Sequence, residues 1–199
     1  APMSLEIFLS LLLFALTTSV TPGPNNMMLL ASGVNFGFRR TIPHMFGIEV
    51  GFASVLLAVG FGMGAIFTTF PMLYIVLKVA GGLYLLWIAY SISMSRALGN
   101  GRSNSTPMGF WAAAAFQWVN PKAWVMAVSS MAAFADPERL VLTVSIVTFA
   151  FAVLAFPCQG IWAGFGSVLR DWLSHPVRLK WFNISMAVLL VLSLWPMLT

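Results

Sequence analysis

The sequence is poor in charge. Ten Lys or Arg and five Asp or Glu residues make up 8% of its 199 positions, against about 25% in an average soluble domain. So few charges cannot cover a water-soluble globule, which argues against a soluble enzyme. With 60% hydrophobic residues, the chain is not intrinsically disordered either. The class that fits is a polytopic membrane protein, in which lipid replaces water around the fold.

Metal ligands, disulfide partners and basic clusters are also scarce. Cys158 is the only cysteine, so the chain cannot form an internal disulfide. The two histidines, His44 and His175, lie far apart and have no other type of ligand beside them. Neither a metal site nor a cofactor is therefore expected. The net charge of +5 does not predict nucleic-acid binding, because the basic residues form no dense patch.

Long apolar runs fill most of the chain. A membrane-spanning helix needs about 20 mostly apolar residues, and the links between the runs are too short for a separate soluble domain. The longest link, 96–107, is rich in Gly, Ser and Asn and separates two halves, 1–95 and 108–199. The sequence predicts an all-α integral membrane protein with six transmembrane helices. They are expected at 5–34, 42–67, 72–95, 108–134, 140–166 and 181–198.

Positive charges are distributed unevenly among the links. The links after the first, third and fifth predicted spans carry seven Lys or Arg residues, whereas the other two links carry only Arg139. The positive-inside rule therefore predicts that both termini are periplasmic and that link 96–107 is cytoplasmic. The first run is not expected to be a cleaved signal peptide, because it is preceded by no positive charge and includes Glu6.

Two of the predicted spans are interrupted by proline, which predicts that helices 1 and 4 are broken. As a straight helix the first span would be about 45 Å long, against an apolar core of about 30 Å. The N–H groups that start a half-helix must face protein, water or a ligand, and they favour anions. The interruptions are Thr21, Pro22, Gly23, Pro24, Asn25 and Asn26 in the first span and Asn120, Pro121 and Lys122 in the fourth.

Paired interruptions in two halves are typical of a transporter whose substrate binds between half-helices. A single proline would more simply kink a helix. Three spans in each half predict two inverted three-helix repeats. Glycines four residues apart also predict close helix packing. These pairs are Gly47 and Gly51, Gly60 and Gly64, and Gly160 and Gly164.

Three charged residues lie inside predicted spans: Glu49, Lys78 and Lys122. Each is costly in the membrane, by about 2.5–3.5 kcal/mol on insertion scales, unless it is paired or hydrated. Glu49 is a candidate proton carrier, and a structural ion pair of Glu49 with Lys78 or Lys122 is the alternative. Lys122, beside a half-helix N-terminus, is the preferred partner for a substrate carboxylate. Trp118 is a candidate to pack on the substrate or its ammonium group.

The sequence resembles the LysE/RhtB family of amino-acid exporters over nearly its whole length. The specific pair is Thr-Pro-Gly-Pro-Asn near the N-terminus with Asn-Pro-Lys downstream. The resemblance implies proton-driven efflux of amino acids or related zwitterionic metabolites across the bacterial inner membrane. Only some members have an acid at the position of Glu49, so its role need not be general. The matching segments are 21–26, 37–39, 47–51, 77–85 and 117–123.

Two other functions stay open at this point. Two half-helices that meet at Asn-Pro sequences also occur in passive channels, and Asn25 and Asn120 would then be donors in the pore. An intramembrane enzyme would need a nucleophile with a base, but no histidine shares the fifth span with Cys158. Protons, an amino acid and the lipid bilayer are the expected partners. A homo-oligomer is compatible with such a chain.

Overall fold

The structure, a computed structural model, describes residues 3–98 and 106–195. Within these ranges it contains α-helices and short π and 3₁₀ turns, and no strand. The predicted all-α class is therefore confirmed, whereas most of the predicted link 96–107, including Arg102, lies outside the described residues. The helices are α1 (Leu5–Val20), α2 (Pro24–Phe36), α3 (Phe38–Ala58), α4 (Gly64–Thr69), α5 (Pro71–Met94), α6 (Phe110–Val119), α7 (Pro121–Phe134), α8 (Leu140–Leu169) and α9 (Pro176–Ser193).

Both proline-containing segments interrupt a helix, as predicted. α1 and α2 meet at an angle of 52° and are long and apolar enough to cross a membrane only as a pair. α6 and α7 have 10 and 14 residues, each fewer than a membrane crossing needs. In the described part of the chain four stretches can cross on their own, or five spans with the bent pair, against the six predicted. The four are Phe38–Met63, Pro71–Met94, Pro137–Leu169 and Pro176–Ser193.

α8 lies at the centre of the helix packing. It contacts α1 and α2 along its length and also packs against α3. Two further helix pairs pack against each other: α3 with α6, and α5 with α9. Large apolar side chains such as Trp111 (81% exposed) and Phe149 (72% exposed) cover the outside. An apolar exterior is what a lipid-facing surface requires.

Glycine allows two of these helix pairs to approach closely. A Cβ at Gly47 or Gly51 of α3 would collide with the backbone of α6, so the packing predicted for this pair is confirmed. The prediction for Gly160 and Gly164 is wrong, because a Cβ there would meet only side-chain carbons 3.8 and 4.0 Å away. α8 instead approaches α2 through another glycine, Gly166, where a Cβ would collide with the carbonyl of Leu30.

The predicted second span is not one continuous helix. Gly62 has φ 111° inside the turn Val59–Met63, and this turn separates α3 from α4. A positive φ is accessible to glycine at little cost, and no proline marks the position. The sixth predicted span also begins too late, since α9 starts at Pro176 and includes Arg178 and Lys180.

Candidate functional site

The end of α1 exposes backbone carbonyls that cannot stay unsatisfied within a membrane. Asn26 Nδ2 donates to the carbonyls of Ser19 and Thr21, each at 2.8 Å. Trp162 Nε1 of α8 donates to the Val20 carbonyl at 3.2 Å, and Lys122 donates to the next two carbonyls. Side chains from α2, α7 and α8 therefore satisfy the four consecutive carbonyls from Ser19 to Pro22.

Lys122 joins the two interruptions. Its Nζ lies 3.2 Å from both the carbonyl and Oγ1 of Thr21 and 3.5 Å from the Pro22 carbonyl. The lysine packs so closely on Gly23 that a Cβ there would lie 2.7 Å from Nζ. A cation is favourable at the C-terminal end of a helix, and Lys122 occupies this position relative to α1. The charge thus has a partner that its place at the start of α7 does not reveal.

A pair of amide side chains forms the second link between the interruptions. Asn25 Nδ2 donates to Gln117 Oε1 at 2.8 Å, and Gln117 Nε2 donates back to Asn25 Oδ1 at 3.0 Å. Gln117 is fully buried and also donates to the Ala113 carbonyl at 3.1 Å. The first turn of α2 is thereby fixed to the last turn of α6.

The two half-helices that follow the interruptions differ at their N-termini. Asn120 caps α7, because its Oδ1 accepts from the Lys122 amide at 3.1 Å. Gly23 precedes α2, and no side chain caps that helix. The first-turn amides of α2 are consequently the ones left for water or a ligand, and they favour an anion.

A small cavity of about 50 Å³ lies where the two interruptions meet. This volume holds roughly two water molecules. A larger cavity, of about 380 Å³ and near His44, is lined by no residue of either interruption. The smaller cavity is lined by Thr18, Ser19, Gly23, Asn25, Asn26, Ile48, Phe52, Gln117, Asn120, Lys122, Ala123, Met126, Ala155 and Gln159.

Glu49 lies behind this cavity. Its Oε1 accepts from Gln159 Nε2 at 2.5 Å, and Gln159 lines the cavity whereas Glu49 does not. The ion pair considered for Glu49 is absent: the carboxyl bonds to Gln159, Lys122 bonds to the end of α1, and Lys78 Nζ lies 5.8 Å from the ring centre of Tyr74. Because α3 turns Glu49 towards α8, its hydrogen-bond partner in this structure is a glutamine rather than a lysine.

The remaining predicted site residues lie around the cavity. Trp118 is not part of the lining; its Nε1 donates to Ser54 Oγ at 3.0 Å. Thr21, Pro22, Pro24 and Pro121 shape the interruptions without lining the cavity. Among the described residues, no three His, Cys, Asp or Glu side chains come together as metal ligands.

Nine of the fourteen residues that line the cavity lie outside the main predicted site. Two of them carry polar atoms that are unpaired among the described residues: Ser19, which the sequence does not indicate, and Gln159, which together with Gln117 is a lesser intramembrane polar candidate in the sequence. Ser19 Oγ and Gln159 Oε1 are both buried and have no hydrogen-bond partner within the described chain. Buried polar atoms are normally paired, so these two are available to a ligand or to water. A glutamine within a transmembrane run is a visible sequence signal for Gln159, whereas a serine next to Val20 carries none.

A membrane protein whose broken helices meet at a polar cavity has the architecture of a transporter. Residues 16–193 match the family described as LysE type translocator. The chain belongs to this family. It is therefore a multi-pass inner-membrane protein and a transporter rather than an enzyme.

The similarity to two bacterial relatives extends over almost the whole chain. A cysteine/O-acetylserine efflux protein of Salmonella typhimurium is 30% identical over 194 residues, which span 96% of this chain and 95% of the relative. The protein with the same name from Escherichia coli K12 is 30% identical over 182 residues, 89% of this chain and 90% of the relative. No solved structure matches the chain significantly.

Proposed function

We propose that the protein is a secondary transporter that exports amino acids or related small metabolites across the bacterial inner membrane by proton antiport. The observation that carries this proposal is the meeting of both helix interruptions at one polar cavity. The family match and the names of the relatives support an amino-acid substrate. The roles of the site residues, the coupling to protons and the membrane topology are all part of this proposal.

The cavity offers complementary groups to a zwitterion. The substrate carboxylate binds between Lys122 and the uncapped N-terminus of α2, where it replaces the long 3.5 Å contact of Nζ with the Pro22 carbonyl. The ammonium group donates to Ser19 Oγ and Gln159 Oε1, which belong to the cavity lining and have no hydrogen-bond partner in the described part of the chain. Both ends of an amino acid are thus bound within one cavity.

The small volume of the cavity supports a short side chain and a moving lining. Space for roughly two water molecules does not admit an amino acid until the helices around it separate. A small substrate such as cysteine requires less displacement of the lining than a large one. Trp118 is proposed to reach the substrate only in such an opened state, since its indole bonds to Ser54 here.

The packing supports an inverted repeat of residues 1–95 and 108–199, joined by a cytoplasmic link 96–107. In this arrangement α1 with α2 forms span one and α6 with α7 forms span four. The first broken span packs on α8, the second span of the other half, and the second broken span packs on α3, the second span of its partner half. Such an exchange is what a pseudo-two-fold axis between the halves requires. Periplasmic termini follow from the positive-inside rule.

Transport into inside-out membrane vesicles tests the function. Radiolabelled cysteine, O-acetylserine, threonine, lysine and leucine are supplied outside, with and without a ΔpH that acidifies the lumen. Saturable uptake that rises with ΔpH is expected for at least one of them, and vesicles without the protein are the control. A linear flux that ignores ΔpH would instead indicate the passive channel.

Glu49→Gln tests the proposed proton carrier in the same assay. The amide keeps the size of the side chain but cannot bind and release a proton. We expect it to lose the stimulation by ΔpH. Stimulation equal to that of the unsubstituted protein would contradict the role of Glu49.

A further inference from the structure

The Gln159 amide lies between Glu49 and the cavity. Its Nε2 donates to Glu49 Oε1, and its Oε1 is buried without a partner in the described chain. Gln159 is 5% exposed and lines the cavity, while Glu49 does not. Any influence of the carboxyl on a substrate in the cavity therefore passes most directly through this amide.

A primary amide can present either of two faces to its neighbours. Its NH₂ group donates and its carbonyl accepts, whereas an ionised carboxylate only accepts. An ionised Glu49 therefore holds the NH₂ group and leaves the carbonyl to the cavity. A protonated Glu49 can donate its O–H to the carbonyl, and half a turn of the amide then directs the NH₂ group to the cavity. This torsion is broad and roughly two-fold, so both orientations are accessible.

We propose, on the basis of the proton antiport above, that Gln159 conveys the protonation state of Glu49 to the substrate by rotating its side-chain amide. With Glu49 ionised, the carbonyl accepts from the substrate ammonium, and substrate binds. When a periplasmic proton binds the Glu49 carboxylate, the amide turns a donor towards the ammonium, and substrate leaves. Release of that proton to the cytoplasm restores the acceptor. One proton enters for each substrate that exits.

The other ionisable groups near the pair are few. Cys158 precedes Gln159 in α8, Lys122 lines the same cavity, and His44 lies five residues before Glu49 in α3. α2 and α6, which pack on α3, contain no ionisable side chain, and α1 contributes only Glu6 in its first turn. Lys122 is engaged with the end of α1, so Glu49 is the ionisable group in direct contact with the amide.

Transport of radiolabelled cysteine into inside-out vesicles tests this relay. Gln159→Met removes both faces of the amide and keeps the length of the side chain. Thr148→Val is the control in the same helix, because the Thr148 hydroxyl donates to the carbonyl of Val144 within α8 and does not line the cavity. With the unsubstituted chain and with Thr148→Val we expect ΔpH to raise uptake about 5-fold or more, as an ordinary coupling free energy would. With Gln159→Met the stimulation and the dependence of uptake on pH are lost.

Infrared difference spectroscopy on acidification gives a readout that needs no transport. In purified protein with isotope-labelled glutamine side chains, the Gln159 carbonyl band is expected to shift together with the appearance of the protonated Glu49 carboxyl band. In Gln159→Met the carboxyl band moves because its partner is gone, and in Glu49→Gln both changes disappear. An identical carboxyl band with and without Gln159 would overturn the relay.

The transport results distinguish failure of the Gln159 relay from failure of the proposed proton antiport. Loss of ΔpH stimulation in Glu49→Gln, with its retention in Gln159→Met, refutes the relay alone. Retention in both variants refutes proton coupling through Glu49 as well. Loss of ΔpH stimulation in Thr148→Val would show that replacing any polar residue of α8 disturbs transport. The relay would then lose its support.

Discussion

Lys122 is the residue that connects the two interruptions most directly. A lysine at the start of α7 is unfavourable with respect to that helix alone. In the fold its ammonium group reaches across to the end of α1, where it donates to Thr21 and Pro22. The same charge therefore stabilises one helix end, closes the gap between the halves of the chain and stays close to the cavity.

Replacement of this lysine separates its structural role from that of an ordinary surface charge. Lys122→Met removes the donor to the Pro22 carbonyl and leaves Asn26 Nδ2 as the donor to the Thr21 carbonyl. We expect the free energy of unfolding to fall by about 1 kcal/mol, the typical net contribution of a hydrogen bond. Export is expected to fall about tenfold or more, which corresponds to about 1.4 kcal/mol of binding.

The measurements are thermal unfolding in detergent micelles and the initial rate of uptake in inside-out vesicles. Lys180→Met is the matched control, because this lysine is exposed near the start of α9. An equal response of both variants would contradict the role assigned to Lys122.

Sequence alone could predict where the two helices are interrupted, but neither the full lining of the cavity nor the partners of its polar side chains. The interruptions contain Pro, Gly and Asn in an order that stops one helix and starts another, so their position is a local property. The partner of Glu49 depends on which face of α3 meets α8, a tertiary property. For this reason the amide of Gln159, and not a lysine, is found beside the carboxyl.

At the scale of elements, the bend between α3 and α4 depends on one glycine. Gly62 has φ 111° and no neighbour within 4 Å of an added Cβ, so an alanine would be strained only by its backbone. We expect Gly62→Ala to lower the free energy of unfolding by about 1–2 kcal/mol. Gly82→Ala is the control: it also has open space, but it lies inside α5. There alanine should stabilise by about 0.5–1 kcal/mol.

Unfolding of both glycine variants in detergent micelles measures the two changes in stability, which are expected to have opposite signs. Stabilisation by Gly62→Ala would mean that the bend is not needed. No sequence pattern predicted this bend, because a glycine among apolar residues is equally typical of a site where two helices pack.

The crossing of α2 and α8 provides a second test at this scale. Gly166→Ala would drive a Cβ into the carbonyl of Leu30, a backbone atom that cannot move without separating the helices. Overpacking of this kind costs about 1–3 kcal/mol. Gly164→Ala, two residues away, meets only a Phe38 carbon at 4.0 Å and should be tolerated.

The fraction of folded protein after size-exclusion chromatography at increasing temperature compares the two substitutions. Equal loss would contradict the close approach at Gly166. The spacing of four residues favoured Gly160 and Gly164 over Gly166, because spacing identifies pairs on one face of a helix without showing which face meets a neighbour.

At the scale of the whole molecule, the two halves of the sequence are not two separate bodies. α8 of the second half packs between α1, α2 and α3 of the first, and α6 packs on α3. Composition could predict that both halves lie in the membrane, because each half contains apolar runs long enough to cross it. Their interleaving could not be predicted this way, because it depends on glycine contacts between residues more than 60 positions apart, such as Gly47 with Phe110.

The orientation of this body in the membrane is open to a direct labelling experiment. α8 has 30 residues, about 45 Å of helix, and connects two exposed turns at Glu138 and Ser174. Cys158 is the single native cysteine and is 3% exposed, so Cys158→Ala gives a cysteine-free background. Into this background Glu138→Cys and Ser174→Cys are introduced one at a time.

A membrane-impermeant maleimide is expected to label Glu138→Cys in spheroplasts and Ser174→Cys only in inside-out vesicles. The reason is that Arg170, Arg178 and Lys180 surround the second turn, and positive links stay in the cytoplasm. The reverse pattern would invert the topology and place the termini in the cytoplasm. Labelling of both cysteines from one side would show that α8 does not cross the bilayer. The inverted repeat would then fail, because α8 is the second span of one repeat and the span on which α1 and α2 pack.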